Sequence, residues 1–216
     1  MANVGLMGGT FDPIHNGHLL LGRQALLEQM VDVVWYMPAK APPHKKGKDI
    51  TDAGHRLAMV RLATGDDAGF RCSDFELARD GFSYTVDTLR LLGEAYPCES
   101  FSLIIGADSF LEIETWYESA GIMELAPLLV AGRSYARCKD PETALETQKS
   151  LLEEKYHARI HFLRNPHIDI SSTAIREMIQ EGQDPSAFVP ESVLAYIHEH
   201  GLYHAHGQRI TGNAAV

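Results

Sequence analysis

The sequence has few cysteines and no excess of positive charge. Three of its 216 residues are cysteines (Cys72, Cys98 and Cys138), and no two of them form a Cys-x-x-Cys pair. This spacing argues against a cysteine zinc site or a thioredoxin-like motif. Lysine and arginine number 19 and aspartate and glutamate 29, so the formal net charge is 19 − 29 = −10. A chain this acidic is unsuited to general nucleic-acid binding, although a local basic pocket could still hold a small anion.

Three further sequence signals are missing. No apolar run reaches the ~18 residues that span a bilayer, and we expect no membrane partner. The segment MANVGLMGGTFD lacks the basic and apolar stretches of a signal peptide, so we expect a cytoplasmic protein with free thiols. No His-Glu-x-x-His helix occurs, and the sequence therefore predicts no metal ion held by protein ligands.

Apolar and helical patterns alternate along the chain and predict an α/β fold. Strands are predicted at 3–7, 32–37, 70–72, 100–106, 127–132 and 159–163, and helices at 18–30, 52–63, 84–95, from about 108, and at 141–155, 172–181 and 190–200. We expect a Rossmann-like, open, mostly parallel sheet with helices on both faces and a small C-terminal helical part. One domain is expected over residues 1–203, followed by a polar, disordered tail at 204–216.

The motif GGTFDPIHNGH (8–18) follows the first predicted strand, and ligands bind at such strand ends in open α/β sheets. Gly8 and Gly9 let the backbone approach a ligand closely. His15 and His18 lie at the start of the next helix, whose free N–H groups and dipole favour a phosphate. A tight turn with a helix-capping histidine is the alternative, but two histidines beside two glycines favour a functional site.

The segment KAPPHKKGK (40–48) reverses the sign of the charge locally. It could form a basic flap over a polyphosphate, or it could be a solvated loop whose lysines confer solubility. Lys40 and His44 lie nearest to the strand end, and we expect these two to face a ligand.

The segment DISSTAIR (169–176) combines helix-capping hydroxyls with a cation. The hydroxyls of residues 171–173 can cap the helix or hold a phosphate. Arg176 lies one turn later, and its guanidinium group can bind the same phosphate bidentately through two N–H groups. An ordinary N-cap with a surface arginine is the alternative.

Two other helix starts carry candidate residues. Asp108 follows the strongest predicted strand and can accept hydrogen bonds from ribose hydroxyls. Trp116 offers a flat face for a heterocycle, with core packing as the alternative. Thr85 opens the helix in FSYTVDT (82–88), where free N–H groups could bind a carboxylate, although a plain N-cap fits equally well.

Taken in order, these motifs resemble those of the bacterial nicotinate-nucleotide adenylyltransferases of the HxGH nucleotidyltransferase superfamily. The resemblance runs from Val4 to about Tyr203 and rests on GGTFDPIHNGH, PPHK, FSYTVDT, IGADSF, TWY and ISSTAIR. It implies an enzyme of NAD biosynthesis that transfers AMP from ATP to nicotinate mononucleotide and releases pyrophosphate. Mg²⁺ is implied as a cofactor that arrives with ATP, held mainly by phosphates and water.

The resemblance also assigns residues to the two substrates. It implies catalytic roles for His18, His15 and Arg176. The residues implied for ATP are Gly8, Gly9, Thr10, Phe11, His15, His18, Gly106, Asp108, Arg133, Ser171, Ser172, Thr173 and Arg176. Those implied for nicotinate mononucleotide are Lys40, His44, Thr85, Trp116 and Tyr117. The chain departs from the family in VAGRSYA, where an Arg-Pro-Gly-Tyr pattern is usual near the adenine: Arg133 and Tyr135 are kept, but the Pro-Gly turn is not.

Other interpretations stay open. A phosphopantetheine adenylyltransferase, or a transferase that uses CTP, would share the superfamily motifs, although phosphopantetheine enzymes often have threonine in place of His15. Intact His15, His18 and Arg176 argue against a non-catalytic nucleotide sensor on the same fold. The acidic charge and the missing RNA-binding module argue against a fragment of a tRNA-charging enzyme. Both a monomer and a homodimer are compatible with the sequence, and so are different degrees of preference for nicotinate over nicotinamide mononucleotide.

Overall fold

A computed structural model describes residues 2–40, 50–79, 81, 83–131, 140–164 and 170–204. Six strands lie in this part of the chain. They are β1 (Asn3–Gly9), β2 (Val33–Pro38), β3 (Phe70–Cys72), β4 (Ser100–Ile105), β5 (Leu128–Val130) and β6 (Ile160–Phe162). They form one sheet in the order β3-β2-β1-β4-β5-β6, and all the neighbouring pairs are parallel.

Helices cover both faces of this sheet. They are α1 (Asn16–Leu27), α2 (Ala53–Thr64), α3 (Thr85–Ala95), α4 (Ala107–Leu111), α5 (Ser119–Leu125), α6 (Pro141–Tyr156), α7 (Ser172–Gln180) and α8 (Glu191–Glu199), with a short 3-10 helix at Ile113–Thr115. One buried cluster contains side chains of α3 to α6, and the other contains side chains of α1, α2, α7 and α8. Successive strand residues alternate between the two clusters, as in β4, where Leu103 and Ile105 join the first and Ile104 the second.

The predicted α/β fold is confirmed. Each predicted strand and helix is present in the predicted order, with ends that shift by a few residues. The 3-10 helix and α5 were not predicted. Both are short, and α5 begins after Glu118, whose left-handed backbone (φ of 48°) turns the chain before Ile122 and Met123 enter the core. The predicted tail at 204–216 lies outside the described residues apart from its first residue.

Close packing of α1 on β2 sets the position of the first helix. The phenol of the buried Tyr36 donates a hydrogen bond to the carbonyl of His18, at 3.3 Å. A Cβ atom added at Gly22 would lie 2.1 Å from the Tyr36 oxygen, so only glycine permits this approach. The first turn of α1, which holds a predicted site residue, is thereby fixed against the sheet.

This packing predicts opposite effects for two glycine-to-alanine substitutions in helices. We expect Gly22→Ala to destabilise the protein by ~1–3 kcal/mol, because the added methyl group overpacks a buried contact. Gly93 is exposed in α3 and a Cβ there would meet no atom within 4 Å, so Gly93→Ala should stabilise by ~0.5–1 kcal/mol. Urea unfolding of the two variants measures both values, and equal stability of the two would contradict this account of the α1–β2 contact.

Candidate active site at the carboxyl ends of the strands

The β1–α1 loop, residues 10–15, leaves the sheet after Gly8 and Gly9. A Cβ atom added at Gly9 would lie 3.1 Å from the ring of Phe11, whereas one added at Gly8 would meet none of the described atoms within 4 Å. Phe11 is buried and has a left-handed backbone, with φ of 49°. Its ring therefore occupies the space beside Gly9, while the backbone at Gly8 borders open space that a ligand can enter.

His15 and His18 stack on each other at the start of α1. Their ring centroids are 3.7 Å apart and their planes differ by 30°. The backbone N–H of His15 donates to Nδ1 of His18 at 3.3 Å, so a neutral His18 carries its proton on Nε2. A Cβ atom at Gly17 would lie 3.0 Å from Nδ1 of His15. The glycine between the histidines therefore makes room for the first imidazole ring.

Burial sets the charge of His15. The residue is 6% exposed, and its Nδ1 has no hydrogen-bond partner among the described residues. Burial lowers the pKa of His15 to about 4, so the ring is neutral at pH 7 in the protein without ligand. An anion bound beside the ring would favour its protonated form.

The start of α7 packs against the β1–α1 loop. The hydroxyl of Ser172 donates to the carbonyl of Pro13 at 2.9 Å. Nη1 of Arg176 donates to the carbonyl of Asp12 at 2.6 Å. The N-cap and first turn hold the three predicted hydroxyls, Ser171, Ser172 and Thr173. The structure thus brings the two predicted phosphate motifs to one place, where the N-termini of α1 and α7 both lie.

The carboxyl end of β4 lies beside that of β1 and forms a second part of the site. Gly106 is the N-cap of α4, and a Cβ atom added there would meet no atom of the part of the chain that the structure describes within 4 Å. Asp108 is exposed in the first turn of that helix. Trp116 follows the 3-10 helix and is partly buried against the core cluster on its side of the sheet. Among the described residues, the backbone at Gly106 therefore borders open space, and Asp108 lies exposed nearby in the same helix turn.

A third group of predicted residues surrounds the start of α3. Lys40 follows β2, and its backbone N–H donates to Oγ of Ser83 at 3.2 Å. Its Nζ donates to a backbone carbonyl of the same segment, that of Arg79, at 2.6 Å. Thr85 is the first residue of α3, and Tyr84 is its N-cap. The ring centroids of Tyr84 and Tyr117 are 4.5 Å apart. Lys40, Thr85 and Tyr117 are thus gathered around one helix start.

Arg56 is a residue of the site region that the sequence analysis missed. It is 1% exposed, and it donates hydrogen bonds to the carbonyls of Thr10, Ala39 and Thr51 at 2.8–2.9 Å. Burial lowers the pKa of Arg56, and the nearby charge of Asp12 opposes that shift. Arg56 thereby joins the ends of β1 and β2 to the segment before α2. The sequence did contain a signal for Arg56, which lies three and four positions before the buried Met59 and Val60 in α2. An arginine on an apolar helix face must be buried with hydrogen-bond partners.

Glu76 was also missed. It is 7% exposed, accepts a hydrogen bond from Oγ1 of Thr88 at 2.7 Å, and is hydrogen-bonded to Ser83. Burial raises the pKa of Glu76. Because Ser83 also contacts Lys40, this buried carboxyl supports the segment that precedes α3. Nothing in the local sequence marked it, since a lone glutamate outside regular structure is usually solvated.

Some predicted residues cannot be placed. His44, Arg133 and Tyr135 lie outside the described residues. Within the described ranges, no group of three or more His, Cys, Asp or Glu side chains is arranged to hold a metal ion. Nor, across those same ranges, does any helix combine the length and apolar character that crossing a membrane requires.

Comparisons with known proteins show the family to which the chain belongs. The cytidylyltransferase-like family matches residues 6–178. Nicotinate-nucleotide adenylyltransferase of Bacillus subtilis is 36% identical over 203 residues, which cover 94% of this chain and 99% of that protein. A Lachnoclostridium phytofermentans protein, named probable nicotinate-nucleotide adenylyltransferase, is 40% identical over 203 residues, covering 94% of this chain and all of that protein.

A solved structure of a protein with a related name has the same fold as this chain. The Plasmodium falciparum nicotinic acid mononucleotide adenylyltransferase complexed with NaAD superposes with a TM-score of 0.75 at 18% identity, covering 94% of this chain and 98% of that one. The chain therefore belongs to the cytidylyltransferase-like family of nucleotidyltransferases and, within it, to the nicotinate-nucleotide adenylyltransferases. The family resemblance stated from the sequence motifs is confirmed.

The burial of His15 predicts a loss of stability in mild acid. Its pKa falls from 6.5 in the unfolded chain to about 4 in the folded protein, so between these values the unfolded state binds more protons. This component of stability is intact above pH 6.5 and is lost as the pH falls toward 4. From pH 7 to pH 5 we expect the unfolding free energy to fall by ~2 kcal/mol more in the wild type than in His15→Gln.

Urea unfolding of both proteins at the two pH values measures this difference. The exposed His198 supplies the control, and His198→Gln should keep the wild-type pH dependence. Parallel pH profiles for the wild type and His15→Gln would show that His15 is not a buried neutral group.

Proposed function

We propose that this chain transfers AMP from ATP to nicotinate mononucleotide. A phosphate oxygen of the mononucleotide attacks the α-phosphorus of ATP, the bond to the bridging oxygen breaks, and pyrophosphate leaves. The observation that supports this most strongly is the cluster at the β1–α1 loop, where two helix N-termini meet His15, His18 and Arg176. Such a cluster suits a polyphosphate, and relatives of 36–40% identity carry the name of this activity.

In this proposal, ATP lies across the carboxyl ends of β1 and β4. His15, His18, Arg176 and the hydroxyls at the start of α7 bind its phosphates. The backbone of residues 8–11 borders the α-phosphate, because Gly8 leaves that side open. Gly106 and Asp108 bind the ribose, with the carboxylate as acceptor. Arg133 is proposed for the adenine side.

The mononucleotide occupies the region between β2 and the start of α3. Lys40, with His44, binds its phosphate. Thr85 and the N–H groups of the first turn of α3 bind the nicotinate carboxylate, with the backbone near Tyr117. Trp116 stacks on the pyridine ring. The contacts of Lys40 with the segment before α3 bring these groups to one side of the ATP site.

The reaction needs no general base, because the attacking phosphate oxygen is already ionised at neutral pH. Catalysis then consists of aligning two anions and neutralising charge on the α-phosphate and the leaving pyrophosphate. We propose that Mg²⁺ enters with ATP and is held by phosphates and water. This mode of binding needs no cluster of metal-binding side chains, and the described residues form none. We also propose a cytoplasmic location, where free cysteines stay reduced.

Pyrophosphate release tests the proposed substrate. With ATP and Mg²⁺ present, we expect release with nicotinate mononucleotide and much less with phosphopantetheine, because only the first presents a carboxylate to the start of α3. Nicotinamide mononucleotide, assayed in parallel, measures how strictly the acid is preferred. Release with phosphopantetheine alone would overturn the proposal.

The role of His18 predicts a kinetic effect. If its Nε2–H donates a hydrogen bond to the charge that develops in the transition state, His18→Ala should lower kcat by more than tenfold, which is ~1.4 kcal/mol of barrier. The matched control is His198→Ala, an exposed histidine on α8, which should keep wild-type kcat. If His18→Ala unfolds at the wild-type temperature and its kcat falls by less than tenfold, His18 does not have this role.

A further inference from the structure

Residues 200–204 bring a tyrosine back to the β1–α1 loop. After α8 the chain turns through two left-handed residues, Gly201 with φ of 60° and Tyr203 with φ of 66°. The phenol of Tyr203 donates to Oδ1 of Asp12 at 2.7 Å, across 191 positions of sequence. The left-handed conformation is unfavourable for a residue with a Cβ atom, so contacts of the side chain must offset its cost.

Asp12 is the point at which several segments hold the loop. Its side chain is buried, with the residue only 4% exposed. Oδ2 accepts a hydrogen bond from the backbone N–H of Thr51 at 3.3 Å, while Oδ1 accepts the one from Tyr203. The carbonyl of Asp12 accepts from Arg176, which is a proposed phosphate ligand. The orientation of this one residue therefore affects both the loop and the arginine.

Tyr203 is suited to act as a permanent donor in this arrangement. Burial and the negative charge of Asp12 raise the pKa of Tyr203, so the phenol keeps its proton at neutral pH. A buried carboxylate that loses a donor is left incompletely hydrogen-bonded, which is costly. Without the phenol, Asp12 would be expected to turn toward water or toward another donor, and its peptide group would move with it.

We propose that Tyr203 is a positioning residue for the ATP half of the site, acting through Asp12 on the β1–α1 loop and on Arg176. It touches no part of the proposed substrates. Its effect is to hold the carbonyl of Asp12 where Arg176 binds it, three residues before His15. The start of α3, which is proposed for the mononucleotide, has no part in this chain of contacts.

The substitution Tyr203→Phe tests the proposal because it removes only the hydroxyl group. Steady-state kinetics should show kcat/KM for ATP reduced about tenfold, with the KM for nicotinate mononucleotide within about twofold of the wild-type value. The control is Tyr196→Phe. Tyr196 is another partly buried tyrosine, on α8, whose phenol pairs with Nδ1 of His55 at 2.9 Å, away from the loop. Tyr196→Phe should keep kcat/KM for ATP and the KM for nicotinate mononucleotide within about twofold of wild type. Its melting temperature should fall, as that of Tyr203→Phe should, because each variant loses one hydrogen bond.

A purely structural role for Tyr203 predicts a different pattern. The proposal is overturned if Tyr203→Phe keeps kcat/KM for ATP within twofold of wild type, or if both tyrosine variants lose it equally. This inference rests on the proposed function wherever turnover is measured. Calorimetric measurement of ATP binding tests the role of Tyr203 separately from the proposed transferase activity. If the wild type makes no dinucleotide, a tenfold loss of ATP affinity in Tyr203→Phe alone still supports the role of Tyr203, and equal affinities in the two variants reject it.

Discussion

The parallel pairing of β1 with β4 fixes where this protein can bind a nucleotide. The strand order reverses between these two strands, since β2 and β3 continue on one side and β5 and β6 on the other. The connections from β1 and β4 consequently leave toward opposite faces of the sheet, and a crevice opens between them. Gly8 and Gly106 border that crevice, and a Cβ atom added at either would meet no atom of the described residues within 4 Å. The start of α4 follows Gly106 directly, and the start of α1 follows Gly8 after the β1–α1 loop. Packing of α7 on that loop adds Arg176.

The acidic charge of the chain is compatible with binding two polyanions because the local cations are arranged in advance. Arg56 and Arg176 both donate to backbone carbonyls of the β1–α1 loop, so their charges are partly balanced before any phosphate arrives. His15 is buried and neutral. The site therefore presents helix dipoles, the neutral imidazole of His15 and an arginine already held in place. Preorganised donors of this kind favour a developing charge without reorganising during the reaction.

Local patterns were sufficient to predict the fold and the positions of the main motifs. A strand followed by Gly8-Gly9 and by a helix with His15 and His18 is a short-range pattern, and so is the N-cap at Ser171. The contributions of Arg56, Glu76 and Tyr203 depend on partners that are 5 to 191 positions away. Periodicity carries no information about such pairs. The proximity of Lys40 to the start of α3 likewise follows from the sheet order, not from the motif that contains it.

A crystal structure of the protein with nicotinate adenine dinucleotide would locate the nucleotide site, because this product should occupy both halves of the site at once. We expect the dinucleotide to span the carboxyl ends of β1 and β4. Its pyrophosphate should lie at the start of α1, within hydrogen-bond distance of His18 Nε2, with the ribose of the adenosine at Asp108 and the pyridine ring at Trp116. A dinucleotide bound with its phosphates away from His15 and His18, or on another edge of the sheet, would contradict this expectation.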